Sequence, residues 1–158
     1  MNSCDPIGFC YIHLTIINGI MNLITILYSS IITECAPKVS VGTRFDGFTH
    51  TELLQPGNSK IECELNLRPF DNLLIKFFDK EWSPQGDTRF DITAILIDGI
   101  TLDHIIFKGK QYPDYSKAGF DKQSSQVYWQ PGTTFHLNGV YELELSQPIW
   151  HFRVKNAQ

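Results

Sequence analysis

The run KIECELNLR, Lys60 to Arg68, alternates strictly: Ile61, Cys63, Leu65 and Leu67 fall on one side, Glu62, Glu64 and Asn66 on the other. An amphipathic helix needs apolar residues about every 3.6 positions, whereas a period of two describes a strand with one dry face and one wet face. The same alternation returns in VYELELS, where Tyr141, Leu143 and Leu145 interleave with Glu142 and Glu144. The closing IWHFRV places Trp150, Phe152 and Val154 on one face. Together with LLIKFF, Leu73 to Phe78, these runs predict a core containing Ile61, Cys63, Leu65, Ile75, Phe77, Leu143, Leu145, Trp150 and Phe152.

What separates the runs is turn chemistry. KVSVG starts after Pro37; QPGNS precedes KIECELNLR, and RPFDN divides it from LLIKFF, so short a connection that the two strands are expected to pair as a hairpin. Asp98-Gly99 divides FDITAILIDG from TLDHIIFKG, and Asn138-Gly139 divides TTFHL from VYELELS. Both dipeptides favour the positive φ that tight hairpins require. No segment after Pro37 carries a helical period. The expectation is an all-β chain, folded as an antiparallel β-sandwich or jelly roll.

The 158 residues suffice for one domain with a core, and a hydrophobic content of 42% excludes a disordered chain. A net charge of −4 with dispersed Lys and Arg argues against a nucleic-acid partner, which needs concentrated positive charge. Cys4, Cys10, Cys35 and Cys63 form no CxxC pair. Cys63 reads as a small buried hydrophobe, and a Cys35–Cys63 disulfide is left open. There is no Asn-x-Ser/Thr acceptor for glycosylation.

From Pro6 to Thr33 there is no Asp, Glu, Lys or Arg. Residues 11–32 are long enough to cross a bilayer, so membrane contact is one reading. Against it stand His13, Asn18, Gly19 and Asn22 within the run, and no Lys or Arg before it as a signal peptide would have. The β-branched and aromatic character of MNLITILYSS, with Ile24, Ile26 and Tyr28 alternating with Leu23, Thr25 and Leu27, favours a strand. Residues 1–20 are then an extension that is disordered, spurious or part of a membrane or signal segment, and 21–158 form one β-sandwich domain.

Between Phe77 and Gly99 the chain concentrates Asp79, Glu81, Asp87, Asp91 and Asp98 around Trp82 and Arg89. Paired carboxylates serve glycoside hydrolysis, but nothing sets one pKa against another, and no triad, HExxH, P-loop or GxGxxG motif is present. The reading is that the chain is not an enzyme. Calcium takes hard oxygens from a flexible loop, which Asp79, Glu81 and Asp87 in DKEWSPQGD would supply; a merely solvated acidic turn is the alternative. Gly109 to Gly132 is too long for a hairpin and rich in aromatics. Aromatic rings stack on the apolar faces of sugars, and Trp82, Tyr112, Tyr115, Tyr128 and Trp129 are the candidate platforms, with Asp114 among the hydroxyl acceptors; packing within the core or loops is the competing role for each.

The segment LLIKFFDKEWSPQGDTRFDITAILIDGITL, Leu73 to Leu102, resembles the central part of small calcium-dependent carbohydrate-binding modules of xylan-degrading enzymes. The matching residues are Asp79, Trp82, Asp87, Arg89 and Gly99. The resemblance implies a jelly-roll sandwich with a ligand site in its loops, Arg89 joining the ligand-binding residues, and calcium as cofactor. It departs from the pattern at Thr93, where that family commonly has Asp. The expected function is a non-catalytic carbohydrate-binding-like module with a glycan or polysaccharide partner. The alternative is a small virion or phage structural protein (tail, fibre or decoration) that assembles through its β domain, as a homo-oligomer or within a virion. Either places the protein outside the cell or on a virion.

Overall fold

The computed structural model describes residues 21–33, 35–81, 86–114 and 130–145. The extension 1–20, the candidate sugar platforms Trp82, Tyr115, Tyr128 and Trp129, and the core candidates Trp150 and Phe152 lie outside the described residues.

The fold is an antiparallel β-sandwich. One sheet contains β1 (Asn22–Ile31), β4 (Gly57–Leu65), β6 (Arg89–Ile97), β7 (Ile100–Thr101) and β10 (Thr134–Phe135), in the order β10-β6-β1-β4 with β7 beside β6. The other runs β3-β2-β5-β11-β8-β9, from β2 (Lys38–Thr43), β3 (Gly47–Leu53), β5 (Asn72–Phe78), β8 (Lys110–Pro113), β9 (Gln130–Pro131) and β11 (Gly139–Glu144). We refer to these as the first and second sheets. Their inner faces meet in one core, with Ile24, Ile26, Ile61 and Leu65 from the first and Val41, Leu73, Ile75 and Leu143 from the second, all nearly inaccessible to solvent. Ile61, Cys63, Leu65, Ile75, Phe77, Leu143 and Leu145 are buried as the alternation predicts.

Within the candidate membrane segment 11–32, the described part is β1, which pairs with β4 on one side and β6 on the other. No helix among the described residues is long and apolar enough to cross a membrane.

Three connections differ from expectation. β4 and β5 do not form a hairpin: β4 pairs with β1, and β5 pairs with β2 and β11 in the opposite sheet. Each strand has one apolar face, and crossing the sandwich buries both faces against each other rather than side by side. Asp71 anchors the crossing, its carboxylate accepting from the Asn72 N–H at 2.8 Å and its carbonyl from the Leu145 N–H at 3.1 Å. Asn138-Gly139 likewise connects different sheets, since β10 pairs with β6 and β11 with β5. Gly139 is required by crowding, because a Cβ there would lie 2.6 Å from the Tyr112 carbonyl oxygen. Asp98-Gly99 does make the expected hairpin between β6 and β7, with φ of 51° and 80°.

The third difference follows Thr101, where TLDHIIFKG leaves the sheet for a 3-10 helix, Asp103–Lys108. Leu102 and Ile106 turn into the core, and the buried Tyr141 hydroxyl donates to the Ile106 carbonyl at 2.5 Å. β6 holds a further irregularity: Leu27 pairs with Ala94 but Tyr28 with Ile92, so Thr93 bulges out. The bulge switches the buried set from Phe90 and Ile92 to Ile95 and Ile97.

Candidate functional site

Outward residues of the second sheet are set by the same alternation that fills its core. Ile75 and Phe77 point inward, so Lys76 and Phe78 point outward; Tyr141 points inward, so Val140 points outward. Val140 stands opposite Lys76 on one side and Tyr112 on the other, which places Tyr112 of β8 near β5 without any closeness in sequence. The result is a depression of about 400 Å³ lined by Lys76, Phe78, Asp79, Tyr112, Asp114 and Asn138, among others.

Backbone contacts hold its rim. Asn138 accepts from the Lys80 N–H at 2.9 Å and donates back to the Lys80 carbonyl at 3.3 Å. Its own carbonyl accepts from the Asp114 N–H at 2.6 Å. Asp79 occupies the left-handed region, φ 59°, where Asp is tolerated better than most residues. Lys76 Nζ lies 5.0 Å from the centroid of Phe78 and 5.8 Å from that of Phe48, so an ammonium spans two outward rings. Half-buried aromatic surface bordered by carboxylates is the chemistry that grips a polyhydroxylated ring.

Of the residues singled out from sequence, Asp79, Tyr112 and Asp114 converge here. Arg89 does not: it begins β6 in the first sheet, where its Nε lies 2.9 Å from Asp91 Oδ2. Phe78, Lys76 and Asn138 were not anticipated. Phe78 was legible in principle, because its place in the alternation after the inward Ile75 and Phe77 turns an aromatic ring to the outer face.

The carboxylates do not assemble into a rim of calcium ligands among the described residues. Asp79 Oδ2 lies 3.1 Å from Lys38 Nζ. Asp87 Oδ1 accepts from Lys80 Nζ at 2.5 Å, and its Oδ2 lies 2.8 Å from His136 Nδ1. Lys80 also donates to the His136 carbonyl. Glu81 is exposed, and no group of three His, Cys, Asp or Glu side chains among the described residues is arranged to hold a metal. Burial raises the Asp87 carboxyl, but the hydrogen bonds and charges of Lys80 and His136 outweigh it and hold the group below its ordinary value. Lys38 and Lys80 thus meet Asp79 and Asp87, and among the described residues these carboxylates do not converge on one point as a set of calcium ligands would.

The Cys35–Cys63 disulfide left open by the sequence is not formed: Cys35 is a free exposed thiol and Cys63 a free buried one. Burial and, secondarily, the charge of Glu52 push the Cys63 thiol up to about 11. Cys63 borders a different depression, of about 440 Å³, between the edge strands β3 and β4. No Phe, Tyr or Trp lines it, so it lacks a stacking surface.

No protein-family model matches the chain, and no curated protein matches it. Two solved structures share its fold. The first, vCBM60 in complex with galactobiose, gives a TM-score of 0.54 at 13% identity and covers 77% of this chain and 97% of that one. The second is the selenomethionine form of vCBM60, described with circular permutation as an evolutionary link between two families of calcium-dependent carbohydrate binding modules. It gives 0.52 at 14% identity over 78% of this chain and 90% of that one. At this identity the likeness is one of fold, and it extends the weak resemblance read between Leu73 and Leu102 to the whole sandwich.

Proposed function

We propose that the chain is a non-catalytic carbohydrate-binding-like module that takes a glycan on the outer face of its second sheet. The observation that carries this reading is the convergence of Phe78 and Tyr112 with Asp79 and Asp114 in one depression of about 400 Å³. Pyranose rings present apolar C–H faces to Phe78 or Tyr112 and hydroxyls to the carboxylates. The vCBM60 structures support the reading by their shared fold, and one of them holds galactobiose. At Asp79 and Asp87 the reading needs no calcium, because Lys38 and Lys80 already supply the positive charge.

A glycan array followed by calorimetry tests it. Tyr112→Ala should weaken binding of the best array ligand by about 10- to 100-fold, the usual loss when a central aromatic contact is truncated. Unchanged binding with an unchanged melting temperature would remove the glycan from this face. Chelator should leave the melting temperature where it was; a rise of several degrees with added calcium would show that an ion binds after all.

A further inference from the structure

We infer that the same face carries a second subsite, for the carboxylate of an acidic sugar; this rests on the glycan reading above and narrows its ligand to glycans containing uronate. Beyond Tyr112 lies another depression, of about 370 Å³, lined by Arg44, Phe70, Lys108, Lys110 and Glu142 among others. Tyr112 borders both hollows, so a chain of sugars crossing its ring reaches from one into the other.

The fold gathers this second hollow from four places. Arg44 leaves the end of β2 and is fixed there by its N–H to the Asn72 carbonyl at 3.0 Å. Lys108 ends the 3-10 helix, and Lys110 stands opposite Glu142 across the β8–β11 pairing. Glu142 is held by the Asn72 amide at 2.5 Å. Arg44 and Lys108 are exposed, and neither side chain has an ion-pair or hydrogen-bond partner among the described residues. Phe70 is 65% exposed and sits at φ 61°, a conformation unfavourable for a bulky residue, which holds its ring out beside these cations.

The mixture selects the ligand. A neutral sugar has no use for two unpaired cations. A bare sulfate or phosphate dianion has no set of hydroxyl donors to offer Glu142 and Glu144 and no ring to lay against Phe70 or Tyr112. A nucleic acid carries a phosphate at every unit and needs an extended basic surface, which a chain of net charge −4 with dispersed Lys and Arg does not supply. A uronate answers each group: its carboxylate pairs with the Arg44 fork, its hydroxyls donate to the glutamates, and its ring lies against Phe70 or Tyr112.

The test uses matched oligosaccharides, each uronate oligomer against its own carboxyl-reduced form, in the galacto, gluco and manno series. In at least one series the native protein should bind the acidic form about tenfold more tightly at low salt, the worth of one charge-assisted hydrogen bond. The preference should shrink as salt rises, and the Arg44→Gln, Lys108→Gln double variant should bind both forms alike. Equal binding of both forms by the native protein, or a preference that survives in the folded double variant, would overturn the subsite. If the reduced forms bind without any acidic preference, the subsite falls and the glycan reading stands. If no acidic or neutral glycan binds, the glycan reading falls and takes the subsite with it.

Discussion

Phe90 joins the two halves of the sandwich, and its truncation should be among the most damaging single changes to the described core. The side chain comes from β6 in the first sheet and is 0% exposed. Its ring meets Tyr28 edge-on at 5.3 Å, stacks on Phe77 of the second sheet at 5.7 Å and lies 5.5 Å from Phe135. Replacing a buried Phe with Ala costs about 3–5 kcal/mol in lost transfer energy and cavity. Aromatic pairs add about 0.5–1.5 kcal/mol each beyond burial, and three are lost together, which puts Phe90→Ala at the upper end, about 5 kcal/mol. Phe90→Leu retains most of the volume and should cost about 2 kcal/mol, mainly in aromatic geometry. Phe45 serves as the control: it is 60% exposed beneath the Arg68 guanidinium at 5.2 Å, and its loss should cost under about 1 kcal/mol. Urea unfolding followed by circular dichroism gives all three values. A Phe90→Ala penalty below about 2 kcal/mol, or equal penalties for Leu and Ala, would refute the assignment of this ring as the hinge of the core.

A Cβ at Gly109 would lie 2.2 Å from ring carbons of the fully buried Tyr141, so Gly109→Ala should cost at least about 3 kcal/mol by the same unfolding assay. Asp87 is held below its ordinary 3.8, so its contribution to stability is present above 3.8 and is lost as pH falls through the lower folded value; the stability gap between native protein and Asp87→Asn, followed by acid titration of the melting temperature, should be flat above that range and close below it. With its thiol pushed up to about 11, Cys63 should resist iodoacetamide at pH 8 in the folded protein while Cys35 reacts, as peptide mass spectrometry will show; rapid labelling of Cys63 would contradict its burial.

The sequence made the strands legible wherever one face had to be dry. Burial at Ile61, Cys63 and Leu65 follows from alternation alone, and so does the Asp98-Gly99 hairpin, because both φ requirements are local. Alternation says which face is buried and not which strand lies alongside, so β4 and β5 look like hairpin neighbours although they sit in opposite sheets. Gly139 is misleading for a related reason, since its need for glycine comes from the β8 backbone across the sheet. β3 gave no signal at all: its residues are exposed or half-buried at the sheet edge, with no dry face to pattern. The 3-10 helix is hidden too, because the four-residue spacing of its buried Leu102 and Ile106 fits one face of a strand as well as one face of a helix.

The carboxylate loop exposes the limit most clearly. In sequence, Asp79, Glu81 and Asp87 stand as a block of negative charge with the chemistry of a calcium loop. In the fold, Lys38 enters through the β2–β5 pairing, which sets it opposite Phe78 and within reach of Asp79. His136 enters from the far side of the chain to meet Asp87, while Lys80, its side chain 10% exposed, folds back between them. Lys80 lies within the block itself, but Lys38 and His136 are distant in sequence, and their arrival is a property of register and topology that charge counted along the chain does not contain. Tyr112 reaches the same face by that route: nothing within GKQYPDYS reveals that Val140 will set it beside Lys76. The aromatic and acidic chemistry of this face was therefore readable as residue types, while the grouping of Phe78, Tyr112, Asp79 and Asp114 in one depression, and the pairing of Asp79 with Lys38, come from strand order.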